Sequence, residues 1–245
     1  MNADILTPEI DYTHAIQPCA IAVLAHGAGA GMHHEFMAKV SELLAQHGIT
    51  VARFNFPYMI KREQDGKRRP PDRMPTLLGC YYQVLKQVAL DNKGKLPVFI
   101  GGKSMGSRVA AIINCTEPQT LHANYLDNNC LDTKDDETHA LETLREQING
   151  VFCFGYPFHP PKKPDNLRLA PLAEVTKQVL ILQGDRDALG NKEEISGYSM
   201  ADKVNCYYLP DGDHDLKPRV KSGYSHDQNI SSAVAQLVSF INEAR

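Results

Sequence analysis

Short, almost wholly apolar runs alternate with longer stretches of helical period along this chain. Six runs read as strands, near 20–25, 49–54, 97–101, 150–154, 178–183 and 204–209. Stretches near 33–47, 76–91, 105–115, 137–148 and 228–243 read as helices. The last is the clearest, because Ile230, Ala233, Val234, Leu237, Val238 and Ile241 recur at helical spacing and form one apolar face. Strand and helix in alternation predict an α/β architecture, a mainly parallel sheet with helices on both faces. The length of 245 residues suits a single domain over 1–245 with a substantial core.

Two segments depart from that rhythm. Residues 61–73 carry Lys61, Arg62, Lys67, Arg68, Arg69 and Arg73 against Glu63, Asp65 and Asp72, and Pro70-Pro71 breaks any helix there. This segment reads either as a basic loop greeting an anionic substrate or as a solvated surface. Residues 117–149 are acidic, with Asp127, Asp132, Asp135, Asp136, Glu137 and Glu142, and read as an insertion serving as a lid or an interaction surface.

Composition narrows the class. A net charge of −3 gives no basic excess for nucleic acid, and no apolar run approaches the length of a membrane span. Met1-Asn2-Ala3-Asp4-Ile5 has no signal-peptide profile. The six cysteines, at 19, 80, 115, 130, 153 and 206, form no C-x-x-C pair and read as reduced, mostly buried thiols. A cytoplasmic enzyme acting on a small molecule, without cofactor or metal, is the expectation, with the oligomeric state open.

The chemistry is concentrated in Gly102-Lys103-Ser104-Met105-Gly106, directly after Pro97-Val98-Phe99-Ile100. This is a G-x-S-x-G pattern where a strand turns sharply into a helix, and it pushes the serine Oγ out at the apex of the turn. The residues two before and two after the serine face each other, which favours glycine at 102 and 106. Gly102-Lys103-Ser104 also resembles the end of a phosphate-binding loop. That motif needs a glycine five residues before Gly102, where Pro97 stands.

Partners for the serine follow in order. Gln183-Gly184-Asp185-Arg186-Asp187 comes after Val179-Leu180-Ile181-Leu182, and Asp211-Gly212-Asp213-His214-Asp215 comes after the run at 204–209. Serine, then carboxylate, then histidine is one of the three chain orders in which this constellation occurs. Asp185 and Asp187 compete as the acid. His226 is a rival base, but it precedes the C-terminal helix and suits its start. The aspartates around His214 invite a metal reading, yet they follow no calcium-loop pattern. An early strand ends in His26-Gly27-Ala28-Gly29-Ala30-Gly31, small residues that can supply a backbone N–H. The nucleotide-turn pattern fails there, because its last glycine falls on Met32 or His34. His26 reads as part of the turn, and His33-His34 as the start of the next helix.

Together these stretches resemble the α/β-hydrolase superfamily, in a branch near the dienelactone hydrolases that includes testis-expressed and NSL-complex-subunit-like proteins. Further matching stretches are Arg53-Phe54-Asn55-Phe56-Pro57-Tyr58 and Gly155-Tyr156-Pro157-Phe158-His159-Pro160-Pro161. The resemblance implies the α/β-hydrolase fold and a serine hydrolase. Ser104 is then the nucleophile and His214 the base, and the G-x-x-D pattern points to Asp187 as the acid. The backbone amides of Ala28 and Met105 form the oxyanion hole, and Tyr58 and His159 are pocket residues. Lys103 either biases the site toward anionic groups or points away and pairs with an acid. The expected substrate is an ester, thioester or similar small acyl compound. The alternatives are a serine-dependent acyltransferase and a non-catalytic interaction protein.

Overall fold

The computed structural model describes residues 8–115 and 142–245. Most of the acidic segment, 117–141 with Cys130, lies outside the described residues, so its reading as a lid or interaction surface does too. The sheet has seven strands: β1 (Ile10–Thr13), β2 (Ala20–Ala25), β3 (Ile49–Phe54), β4 (Val98–Lys103), β5 (Ile148–Phe154), β6 (Val179–Gly184) and β7 (Val204–Leu209). Their order is β1-β3-β2-β4-β5-β6-β7, parallel except for β1. The helices are α1 (Glu35–Gln46), α2 (Pro57–Asp65), α3 (Met74–Asn92), α4 (Met105–Ile113), α5 (Ala170–Ala173), α6 (Lys192–Ser196) and α7 (His226–Glu243). This is the α/β-hydrolase fold.

Alternation along the strands builds two cores. Ala20, Ala22 and Leu24 of β2 face α1 and α7, where Phe36, Met37, Val40 and Leu44 meet Ile230, Val234, Leu237 and Ile241. Ile21, Val23 and Ala25 face the other way, toward α3 and α4, with Leu77, Tyr81, Val84, Val109 and Ile112. A strand buried on both sides needs no polar face, so the central strands are apolar at nearly every position.

Three elements differ from the sequence expectation. β1 is too short to register as a pattern. It is held in antiparallel register by the cross-strand pair Asp11 and Arg53, whose carboxylate and guanidinium lie 2.7 Å apart. The basic segment at 61–73 is not a loop throughout, because Lys61–Asp65 form the last turns of α2. Pro57 starts that helix at a position where its missing N–H costs nothing, and Gly66 ends it in the left-handed region at φ 71°. Asp72 then folds back and accepts the Tyr58 N–H at 2.8 Å, which caps α2. The helix expected at 137–148 is helical over 142–146 among the described residues, and β5 already begins at Ile148.

Candidate active site

Ser104, Asp187, His214 and Ala28 lie just beyond the carboxyl ends of parallel strands, on the edge where open α/β sheets bind ligands. Ser104 follows β4, Asp187 follows β6, His214 follows β7, and His26-Gly27-Ala28 follow β2. A cavity of about 470 Å³ lies at the opposite edge, where Ile21 and Thr50 begin their strands, and is remote from this chemistry.

The turn at Ser104 has φ 53° and ψ −109°, outside the regions an L-residue prefers, a strain of ~1–3 kcal/mol. The packing around it enforces the strain. A Cβ on Gly102 would lie 2.4 Å from the Gly106 carbonyl carbon, and one on Gly106 would lie 2.5 Å from the Ala25 oxygen. Only glycine at both positions lets the turn close onto β2, which explains the spacing seen in the sequence. Ser104 N–H donates to the Phe154 carbonyl at 2.9 Å, tying the turn to β5.

Three side chains meet here from chain positions far apart. Ser104 Oγ lies 2.7 Å from His214 Nε2, and His214 Nδ1 lies 2.7 Å from Asp187 Oδ2. Asp187 is wholly buried, and its carboxylate is fully engaged. Oδ2 also accepts from Gln183 Nε2 at 2.8 Å, and Oδ1 accepts from the Leu189 N–H at 2.8 Å. Three donors compensate the burial of this carboxylate. It accepts a hydrogen bond from His214 Nδ1–H, so Nε2 presents a lone pair to the serine hydroxyl. Gly155, at φ 67°, makes room for His214, since a Cβ there would lie 2.9 Å from the His214 carbonyl oxygen.

The rival assignments find other employment. Asp185 lies outside this hydrogen-bond chain, and its buried Oδ1 has no partner. His226 is the first residue of α7, and its Nε2 lies 2.8 Å from the Asp215 carbonyl. The aspartates flanking His214 are structural. Asp211 pairs with Arg186 and Arg219, and the Arg219 hydrogen bond holds its carboxyl near pKa 2. Asp213 accepts the N–H groups of Asp215 and Lys217. Lys103 resolves to its second reading. Its buried ammonium donates to the His214 carbonyl at 2.5 Å and pairs with Asp215 at 3.0 Å. Burial alone would raise the Asp215 carboxyl, but the Lys103 cation, with His214 and His226, holds it below the usual range.

Tyr58 and His159 are buried. Tyr58 sits on α2, and His159 Nε2 approaches Glu194 at 3.3 Å. The amides of Ala28 and Met105 have no backbone acceptor among the described residues. Met105 opens α4, so its N–H is one of the helix-terminal donors left free. Burial pushes the Cys80 thiol up to about 12 and the Cys206 thiol to about 11, which makes both poor nucleophiles.

His26 stands in the turn after β2, as expected, whereas the part played by Gln183 was not legible. Buried His26 receives the Phe56 N–H on Nε2 at 3.0 Å, and its Nδ1 lies 2.7 Å from the Gly27 carbonyl, so it clips the β2 turn to α2. Burial lowers its pKa to about 4 despite the Gly27 contact, so it is neutral. Nothing in the sequence separates a buried glutamine that orients an acid from any other strand-end glutamine.

The fold, with a strained serine, an imidazole and a buried carboxylate joined at the carboxyl edge of the sheet, defines the class of α/β hydrolases. A family model described as an alpha/beta hydrolase domain matches residues 18–242, and the chain belongs to that family. Among solved structures, a dienelactone hydrolase from Anabaena variabilis is similar with a TM-score of 0.65 at 15% identity, covering 97% of this chain and 92% of its own. An alpha-beta serine hydrolase homologue from Coxiella burnetii has a TM-score of 0.60 at 12% identity, covering 99% of this chain and 94% of its own. Est1E from Butyrivibrio proteoclasticus, in a structure with bound ferulic acid, has a TM-score of 0.60 at 13% identity, covering 97% and 95%. At such identities the likeness is one of fold.

Proposed function

We propose that this protein is a serine hydrolase of small acyl substrates, an ester or thioester, with Ser104 as nucleophile, His214 as base and Asp187 as the acid that orients it. The observation that carries the reading is the unbroken chain from Ser104 Oγ through His214 to buried Asp187, with both contacts at 2.7 Å. Ser104 Oγ attacks the substrate carbonyl carbon while its proton passes to His214 Nε2. Asp187 holds the Nδ1 proton and stabilises the imidazolium. The negative charge on the carbonyl oxygen is received by the Ala28 and Met105 N–H groups, and loss of one such donor costs roughly 3–4 kcal/mol. The tetrahedral adduct collapses, and the alkoxide or thiolate leaves with the proton from Nε2. Water, deprotonated by the same nitrogen, then attacks the acyl-enzyme, and the acid departs from Ser104 as Nε2 returns the proton.

A fluorophosphonate probe tests the nucleophile, and nitrophenyl esters of graded acyl length test turnover. The parent should be labelled at Ser104 and hydrolyse short esters, and folded Ser104→Ala should do neither. Labelling of Ser104→Ala as strong as that of the parent would remove the assignment. Products formed with added alcohol or amine distinguish hydrolysis from acyl transfer.

A further inference from the structure

The loop after β2 is held by its carbonyls. Gly27 O lies 2.7 Å from His26 Nδ1 and accepts from the Tyr58 hydroxyl at 3.2 Å. Ala28 O accepts from the same hydroxyl at 3.1 Å. Gly29 O accepts from Arg62 Nη1 at 3.0 Å. Three consecutive peptide oxygens are therefore fixed, with Tyr58 and Arg62 both projecting from α2. In a planar trans peptide the C=O and the following N–H point in opposite directions. Fixing Gly27 O toward the Tyr58 hydroxyl therefore turns the Ala28 N–H to the other side. The loop also lies directly against the nucleophile, since a Cβ on Gly27 would be 3.5 Å from Ser104 Cβ.

We propose that Tyr58 is a positioning residue for the oxyanion hole, its hydroxyl orienting the Gly27–Ala28 peptide so that the Ala28 N–H faces the developing oxyanion. This rests on the serine-hydrolase reading of Ser104. The hydroxyl has one proton, shared between two carbonyls, so Tyr58 acts through the loop and does not touch substrate. The anchor is rigid. Tyr58 is buried on a helix opened by Pro57 and capped by Asp72, and it tilts against the His26 ring at 5.8 Å. Burial and then the Asp72 carboxylate push its phenol well above the usual range, and Arg62 only partly opposes them, so the donor stays protonated wherever the enzyme works.

The test is Tyr58→Phe, which keeps the ring and removes the hydroxyl. Ester kinetics are measured beside inhibition by two ketones of equal chain length. A trifluoromethyl ketone forms a tetrahedral oxyanion on the serine, and the matching methyl ketone does not. The expected result is a fall in kcat of about 10- to 100-fold, less than outright loss of a donor, with an equal loss of affinity for the trifluoromethyl ketone. KM, methyl ketone affinity and the shape of the pH–rate profile should stay unchanged. A second variant with 4-aminophenylalanine at position 58 restores a donor and should recover most of kcat and ketone affinity. Parental kcat and ketone affinity in Tyr58→Phe would overturn the proposal. So would an unfolded Tyr58→Phe, or an equal loss of affinity for both ketones, because the hydroxyl would then serve the fold and not the oxyanion. A parent with neither probe labelling nor turnover would instead refute the hydrolase reading itself.

Discussion

Replacing Asp187 by asparagine tests how the buried carboxylate controls the base. An asparagine has one acceptor and one donor end, while Asp187 receives Leu189 N–H on one oxygen and both Gln183 Nε2 and His214 Nδ1 on the other. If the amide NH₂ faces Leu189, that backbone N–H loses its partner, an unsatisfied group costing about 1–3 kcal/mol. If the NH₂ faces Gln183 and His214, the Gln183 amide still reaches Tyr156 O at 3.2 Å and Gly190 O at 2.9 Å. The second orientation is therefore preferred. It presents a donor to His214 Nδ1, which must accept and so place its proton on Nε2, 2.7 Å from Ser104 Oγ. A base already protonated there cannot take the serine proton. Asp187→Asn should thus fold and lose about 10⁴ in kcat, about 5 kcal/mol of transition-state stabilisation. Asp185→Asn is the control. Its carboxylate has a buried oxygen without a partner, so neutralising it should leave kcat within about threefold and the melting temperature unchanged or higher. Steady-state kinetics on both variants, with folding checked by circular dichroism, decide the matter. A loss of less than tenfold in Asp187→Asn, or a larger loss in Asp185→Asn, would refute the reasoning.

Two further outcomes are expected. His26 is neutral in the folded chain, with a pKa near 4 against an ordinary 6.5, so the unfolded chain binds more protons between those values. Stability is then full above pH 6.5 and falls by about 3 kcal/mol as the pH drops toward 4. Denaturant midpoints should follow that window, and His26→Asn should flatten it; the lowered carboxyls of Asp65, Asp211 and Asp215 act below their ordinary 3.8. Lys103→Met should lower kcat about tenfold by freeing the His214 carbonyl, at an expected 1.5–3 kcal/mol or so for a hydrogen bond from a charged donor. Because the Lys103 charge is already matched by Asp215, the ratio of kcat/KM for carboxylate-bearing and neutral esters should not move; a drop in that ratio would return Lys103 to substrate binding.

The sequence alone determined whatever depends on local pattern. Apolar runs marked six of the seven strands; the five inner ones are buried at nearly every position and have no polar period to obscure them, while β7, at the edge, is only partly buried. Gly102 and Gly106 marked the serine turn, because only glycine tolerates the approach of Ala25 and of the opposite limb of the turn. Chain order brought out Ser104, His214 and the pair Asp185/Asp187. The tertiary structure decided what depends on contacts between distant segments. Asp187 rather than Asp185 meets His214, since the turn after β6 directs one carboxylate inward onto Gln183 and Leu189. Lys103 is turned to the base loop, with residue 215 as its partner. The burial of Tyr58 and His159 was likewise decided by packing between distant segments. β1 forms by pairing with β3, where Arg53, forty-two residues on, also bonds Asp11 across the sheet edge. A short strand and a buried tyrosine carry no periodic signal, because their stability comes from partners that only folding brings near.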